Sequence, residues 1–278
     1  MIKNVRVNSG KFRIVETGIA YGNMNTAKRF YPEDYTVEDR QRAFLSHRLK
    51  AGKDFGFDGH KMFMADQTDK TGTWFELDQD CVEANPNGWS DISEDILVIT
   101  DDVPSVVIGH PVADCPVVMA FDVEKGVAAI GHCSADLVDI KMPMLVVDAL
   151  LESYGSRDED IVAYVSMCAG ISWTYDSYPK WAKDEKMWEK AITLGEDGLY
   201  HINLKRVVRK QLLDRNVAGV LMSPDDTITD PRYYSNSAAF NGDSTKNGRN
   251  FAGTFFTGKK KGSYQRVLRE KKLEGLSR

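Results

Sequence analysis

The sequence predicts a mixed α/β fold, a single domain in which more than one mixed β-sheet is flanked by helices. Two observations predict it. Short apolar runs bounded by Asp, Pro or Gly recur along the chain, at 95–100 (DILVIT), 105–109 (SVVIG), 115–121 (CPVVMAF) and 127–131 (VAAIG), and each has the length and punctuation of a buried strand. Strand patterns and helix patterns then alternate irregularly, which favours mixed sheets over a regular βαβ series.

The elements follow in order. Residues 12–20 (FRIVETGIA) read as an extended strand. Residues 36–51 read as a helix opened by a capping box, with Thr36 at its start and Asp39 three residues on. Strands are expected at 61–65 and 73–77, followed by a polar connection from 84 to 91. The segment 137–154 carries apolar residues at helical spacing. Its helix is expected to begin near Pro143, because proline is tolerated in a first turn. A strand at 161–166, helices at 179–191 and 202–215, a strand at 217–222, a polar loop from 223 to 250 and a last strand at 251–256 complete the series.

Composition narrows the class of function. The 278 residues are 42% hydrophobic, enough for a sizeable core, and the formal net charge of −5 argues against a general polyanion binder. No apolar run approaches the length of a membrane span, and the N-terminal stretch reads as a strand, not as a signal peptide. Four widely spaced cysteines, Cys81, Cys115, Cys133 and Cys168, match no CxxC pattern, so reduced thiols and a cytoplasmic location are expected. From Lys259 to Arg278 eight basic residues face two acidic ones. Residues 258–278 therefore read as a basic tail outside the 1–257 domain: a solvated segment, or one that contacts an acidic protein surface or nucleic acid.

The stretch from 112 to 137 carries the chemistry. Ala113-Asp114-Cys115-Pro116-Val117 precedes one apolar run, and Gly131-His132-Cys133-Ser134-Ala135-Asp136 closes the next. Taken alone, Cys115 reads as a small buried hydrophobe and His132 as a satisfied loop histidine. Taken in order with later segments, they resemble the laccase-domain family, first labelled multicopper polyphenol oxidases and associated with purine nucleoside metabolism. That family shows Ala-Asp-Cys-x-Pro-Val, a strand pair, and His-Ala-Gly-Trp-Arg-Gly. Tyr164 to Ile171 with Tyr175, Asn203-Leu204 through Gly219-Val220, Thr227-x-x-Asp230-Pro231-x-x-Tyr234-Ser235 and Gly248-Arg249 are similar to its later segments. The resemblance spans roughly residues 10 to 256.

The resemblance implies a laccase-domain-like fold and a zinc ion held by two histidines and a cysteine, acting on adenosine, inosine and related nucleosides by deamination or phosphorolysis. Carried over residue by residue, the metal set is Cys115, His132 and Asp69, because Asp69 stands where the family has its first histidine. A carboxylate is an acceptable zinc ligand, and three protein ligands leave a position open for water. Arg249 is expected to place phosphate and Tyr175 to contact the nucleoside, with oligomerisation open. Other departures are Ala135 and Asp136 in place of Trp and Arg, Asp226 in place of a cysteine, and Ser237-Ala238 where the family has arginines.

Two rival readings stand beside this one. In the first, the site is degraded and the fold serves a binding or assembly role. In the second, Cys115 is a metal-free nucleophile with His132 as base. Copper-dependent oxidation ranks last, because the chain has only five histidines. His110 is a spare donor, Asp114 is expected to hold its own turn through local backbone bonds, and Lys246 reads as a solvated loop charge. Trp173, Tyr175 and Tyr178 form an aromatic group suited to core packing or to purine stacking.

Overall fold

The computed structural model describes residues 12–65 and 71–258. Asp69, the N-terminal residues 1–11 and the basic tail from Lys259 onward lie outside the described residues. In chain order the first half contains β1 (Phe12–Glu16), α1 (Val37–Phe55), β2 (Met62–Ala65), β3 (Trp74–Leu77), α2 (Gln79–Ala84), β4 (Trp89–Ile92), β5 (Ile96–Thr100), β6 (Val107–Val112), β7 (Val117–Asp122) and β8 (Val127–His132). The second half contains α3 (Ala135–Asp139), α4 (Met142–Tyr154), β9 (Ile161–Val165), β10 (Trp173–Tyr175), α5 (Glu185–Trp188), β11 (Ile192–Leu194), β12 (Tyr200–Ile202), α6 (Leu204–Asp214), β13 (Gly219–Met222), α7 (Asn236–Phe240) and β14 (Asn250–Phe256).

These elements stack as helix, sheet, sheet, helix. A five-stranded sheet runs β1-β14-β6-β2-β4 and a six-stranded sheet runs β13-β9-β7-β8-β5-β3, both mixed in direction. Strand periodicity divides the side chains between layers. Along β7, Val117, Met119 and Phe121 enter the core between the sheets, while Val118 and Ala120 face the layer containing α3, α4 and α6. On β14, Ala252 and Phe256 face inward and Phe251 and Phe255 pack toward Phe44, Ala51 and Phe55 of α1. Both sheets are thus covered on both faces, which is why their strands read as continuous apolar runs and not as alternations.

Local signals explain the helices. The Thr36 hydroxyl accepts the Asp39 N–H at 3.1 Å while the Thr36 N–H donates to Asp39 Oδ2 at 3.1 Å, closing the expected capping box. The helix runs four residues past the expected end at 51 and stops at Gly56 in the left-handed region, φ 87°. Pro143 sits in the first turn of α4 as expected. Gly131 lets α4 lie against β8, since a Cβ there would come within 2.5 Å of Val146 Cγ2.

The structure departs from expectation in the polar segments. The connection at 84–91 holds the end of α2 and the start of β4, and the helix expected at 179–191 shrinks to α5. A small sheet, β10-β12-β11, occupies a region the apolar pattern left blank. Its strands are three residues each, too short for periodicity to register. Among the described residues no helix is long and apolar enough to cross a membrane.

Phe121 is fully buried between the sheets with its ring 4.7 Å from that of Phe12. Phe121→Ala is expected to lower unfolding free energy by about 3–5 kcal/mol in urea titrations, with little change in slope.

A thiol and imidazole cleft at the ends of two strands

The sandwich brings the two sequence-singled residues together through register. β7 and β8 pair antiparallel with Val117 opposite His132, and the Cys133 N–H donates to Pro116 O at 2.9 Å. Cys115, two residues before Val117, is therefore a neighbour of His132, and both line one cleft of about 780 Å³. Tyr175 and Arg249 line the same cleft. So does Ala65, the last described residue before the segment containing Asp69. Cys133 points the other way, into the helix-facing core. A second cleft of about 820 Å³, between α5 and α6, is lined by no cysteine or histidine.

The turn carrying Cys115 is built by Asp114. Its backbone is left-handed, φ 76°, a conformation aspartate tolerates better than most residues. Its carboxylate does not make the local turn bonds expected of it. Oδ1 accepts the Thr227 hydroxyl at 2.7 Å and Oδ2 accepts the Ser237 N–H at 2.7 Å, while its carbonyl accepts the Ala169 N–H at 2.7 Å. One buried residue thus ties three distant segments to the turn, a role that no sequence spacing could reveal.

Lys246 also departs from its expected solvated role. Its ammonium is buried and donates to the carbonyls of Thr227 at 2.9 Å, Ile228 at 2.7 Å and Asp230 at 2.9 Å. These bonds staple the long loop that forms one wall of the cleft. Asp226, at the family's cysteine position, accepts the Ser172 hydroxyl at 2.6 Å and the Ile228 N–H at 2.9 Å.

Burial pushes the Cys115 thiol up to about 12; the Asp114 charge adds to the rise and Arg249 opposes it. His110 is fully buried behind the site, its ring 6.2 Å from that of His132, and burial lowers it to about 4, so it stays neutral. It does not line the cleft. Trp173 stacks on Trp181 at 5.6 Å and sits 5.5 Å from Tyr175. Trp173 and Tyr175 present an aromatic wall while Trp181 and Trp188 continue it inward. Arg29, which the sequence pattern did not single out, lies in the same cleft. No motif marks it, because its segment, Lys28–Phe30, is one short turn of 3-10 helix.

A thiol and an imidazole are donors that suit zinc, and their convergence fits the expected metal set as far as the described residues go. Those residues supply two of the three expected donors at this cleft, and among them no group of three His, Cys, Asp or Glu could hold a metal ion. The third expected donor, Asp69, lies outside them.

The architecture is that of a two-sheet sandwich with a cysteine–histidine cleft at the strand ends. The model of the family described as multi-copper polyphenol oxidoreductase laccase matches residues 20–256, and the chain belongs to that family. No curated protein matches the chain significantly. Solved structures share the fold. Bacillus licheniformis hypothetical protein YfiH is 19% identical with a TM-score of 0.65, the match covering 90% of this chain and 98% of that one. YlmD from Geobacillus stearothermophilus is 14% identical with a TM-score of 0.65, covering 88% and 90%. Neisseria meningitidis protein NMB0706 is 16% identical with a TM-score of 0.64, covering 89% and 95%.

Two outcomes follow for this site. In metal-free protein at pH 8, Cys115 is expected to react with iodoacetamide about a hundredfold or more slowly than a free thiol, with the rate still climbing above pH 9. Peptide mass spectrometry of the alkylated residue checks it. Asp114→Asn keeps the turn conformation and one acceptor oxygen for the Ser237 N–H, but the Thr227 hydroxyl must reverse and accept from the amide, and loss of the charge-assisted bonds is expected to cost about 1–3 kcal/mol in urea unfolding.

Proposed function

We propose that the chain is a purine nucleoside enzyme whose chemistry takes place in this cleft, with Cys115, His132 and Asp69 holding a zinc ion. The observation that carries the reading is the convergence of Cys115 and His132 on one cleft whose other walls are aromatic and cationic. When bound, zinc supplies a Lewis acid and a bound water that ionises near neutral pH. Cys115 would give up its proton on holding the metal, so loading would release a proton and be favoured by rising pH. Trp173 and Tyr175 offer π-faces for a purine base. Arg249 offers a planar fork for phosphate, and this favours phosphorolysis over deamination, since only phosphorolysis uses a phosphate nucleophile.

The raised pKa of Cys115 weighs against the metal-free nucleophile, because desolvation disfavours the thiolate that would attack. Copper-based oxidation asks for several histidines. Of the chain's five, His47 bonds to Asn23 O and His201 to Asp197, and among the described residues only His132 lines the cleft. The binding or assembly reading draws on positions where family residues are replaced. Ser237 donates its N–H to Asp114 and Ala135 is buried at the start of α3, so both serve the scaffold. We place the protein in the reducing cytoplasm, a setting consistent with the free thiols Cys81, Cys115, Cys133 and Cys168.

Elemental analysis tests the proposal. About one zinc per chain is expected, lost in Cys115→Ala and His132→Ala, with inosine turnover that requires phosphate and falls about a hundredfold or more in those variants. Absence of metal from the wild type, with added zinc failing to bind, would overturn the zinc reading and leave the assembly role.

A further inference from the structure

The cleft of about 820 Å³ between α5 and α6 has no part in the chemistry above. Met144 of α4, Met187 of α5, and Val207 and the exposed Leu213 of α6 line it with apolar surface. Six cations and three carboxylates ring that surface, in a chain whose net charge is −5. Two of the carboxylates are engaged: Asp214 pairs with Lys210, and Asp184 caps α5 by accepting the Met187 N–H at 3.1 Å. Lys141, Lys186, Lys190, Arg206 and Arg209 form no ion pair among the described residues. Gln211 is buried at the same cleft. Its amide nitrogen donates to Val138 O at 2.8 Å, while its Oε1 has no hydrogen-bond partner among the described residues. An apolar surface ringed by unpaired cations, with an acceptor left over, suits an anionic segment that carries apolar side chains and donors.

The chain carries such a segment itself. Residues 33–39 (EDYTVED) hold four carboxylates and no cation. Asp39 is engaged in the cap of α1 and with Arg42 at 3.1 Å, but Glu33, Asp34 and Glu38 form no ion pair among the described residues. Between them Tyr35 and Val37 are 39% and 53% exposed. The segment leads into α1, which covers the outer face of the five-stranded sheet, whereas α4 and α6 cover the outer face of the six-stranded one. Both sheets lie between the segment's helix and the cleft, so a chain does not fill its own cleft with these residues. The basic tail from Lys259 to Arg278 bears the same sign of charge as the cleft and is repelled from it.

We propose that the α5–α6 cleft is the docking site for residues 33–39 of a second copy of this chain. Glu33, Asp34 and Glu38 meet the unpaired cations, and Tyr35 and Val37 enter between the methionines, whose flexible thioethers adapt to a ring and a branched side chain. The contact joins one patch to a different patch, so each added copy leaves a free cleft at one end and a free segment at the other. Assembly then proceeds head to tail unless the rotation closes a ring. The inference requires neither zinc nor turnover at the Cys115–His132 cleft.

Analytical ultracentrifugation of the full chain tests it. At about 100 μM protein and ~50 mM salt the weight-average mass is expected to reach about twice the monomer value or more, and to return to the monomer value in ~500 mM salt. A cleft variant, Lys186→Glu with Lys190→Glu and Arg209→Glu, is expected to stay monomeric. So is a segment variant, Glu33→Lys with Asp34→Lys and Glu38→Lys, because each sets like charges against each other at the contact. Mixed one to one, the two variants are expected to associate again, since the cleft of each then matches the segment of the other. Urea midpoints close to that of the wild type report that both variants are folded. Mass unchanged in either variant, or a mixture that stays monomeric, would overturn the docking. A wild type that is monomeric at every concentration would overturn it too, and would leave this face to an acidic segment of another protein.

Discussion

The site depends on one buried carboxylate. Asp114 sits in the left-handed turn between two strands that belong to different sheets, and its oxygens and carbonyl bind groups from residues 169, 227 and 237. A buried carboxylate is tolerated only where hydrogen bonds replace its hydration, and here the bonds come from parts of the chain that would otherwise have no reason to meet. The turn positions Cys115, and its partners position the long loop that walls the cleft. Lys246 completes the arrangement from the other side by satisfying three carbonyls of that loop. Two buried ionisable groups therefore organise a segment with little regular secondary structure.

The cleft is electrostatically divided. On its floor, the thiol is held in its neutral form by burial and by Asp114. On its wall, two guanidiniums share an aromatic ring without a carboxylate between them. The aromatic wall formed by Trp173 and Tyr175 supplies the remaining, uncharged face.

Much of the scaffold was legible in the pattern of residues. The runs at 95–100, 115–121 and 127–131 are buried strands because both sheet faces are covered, and the Thr36–Asp39 cap and Pro143 open their helices as expected. Cys115, His132, Tyr175 and Arg249 do share one cleft. Less was legible where elements are short or where polar residues act at a distance. The small β10-β12-β11 sheet has strands too brief for periodicity, and Lys246 looked like a loop charge because nothing local shows that three carbonyls surround it.

By itself, then, the sequence determined the fold class, the strand ends that carry a thiol and an imidazole, and membership of the family, because apolar periodicity and motif order are properties of neighbouring residues. Only the tertiary structure decided that Asp114 clamps remote segments, that His110 is a neutral core residue beside His132, and that Arg29 joins Arg249 over Phe30. Those pairings span tens to hundreds of residues. They exist because register and packing bring the segments together, and no local spacing encodes which distant polar group will complete a buried one.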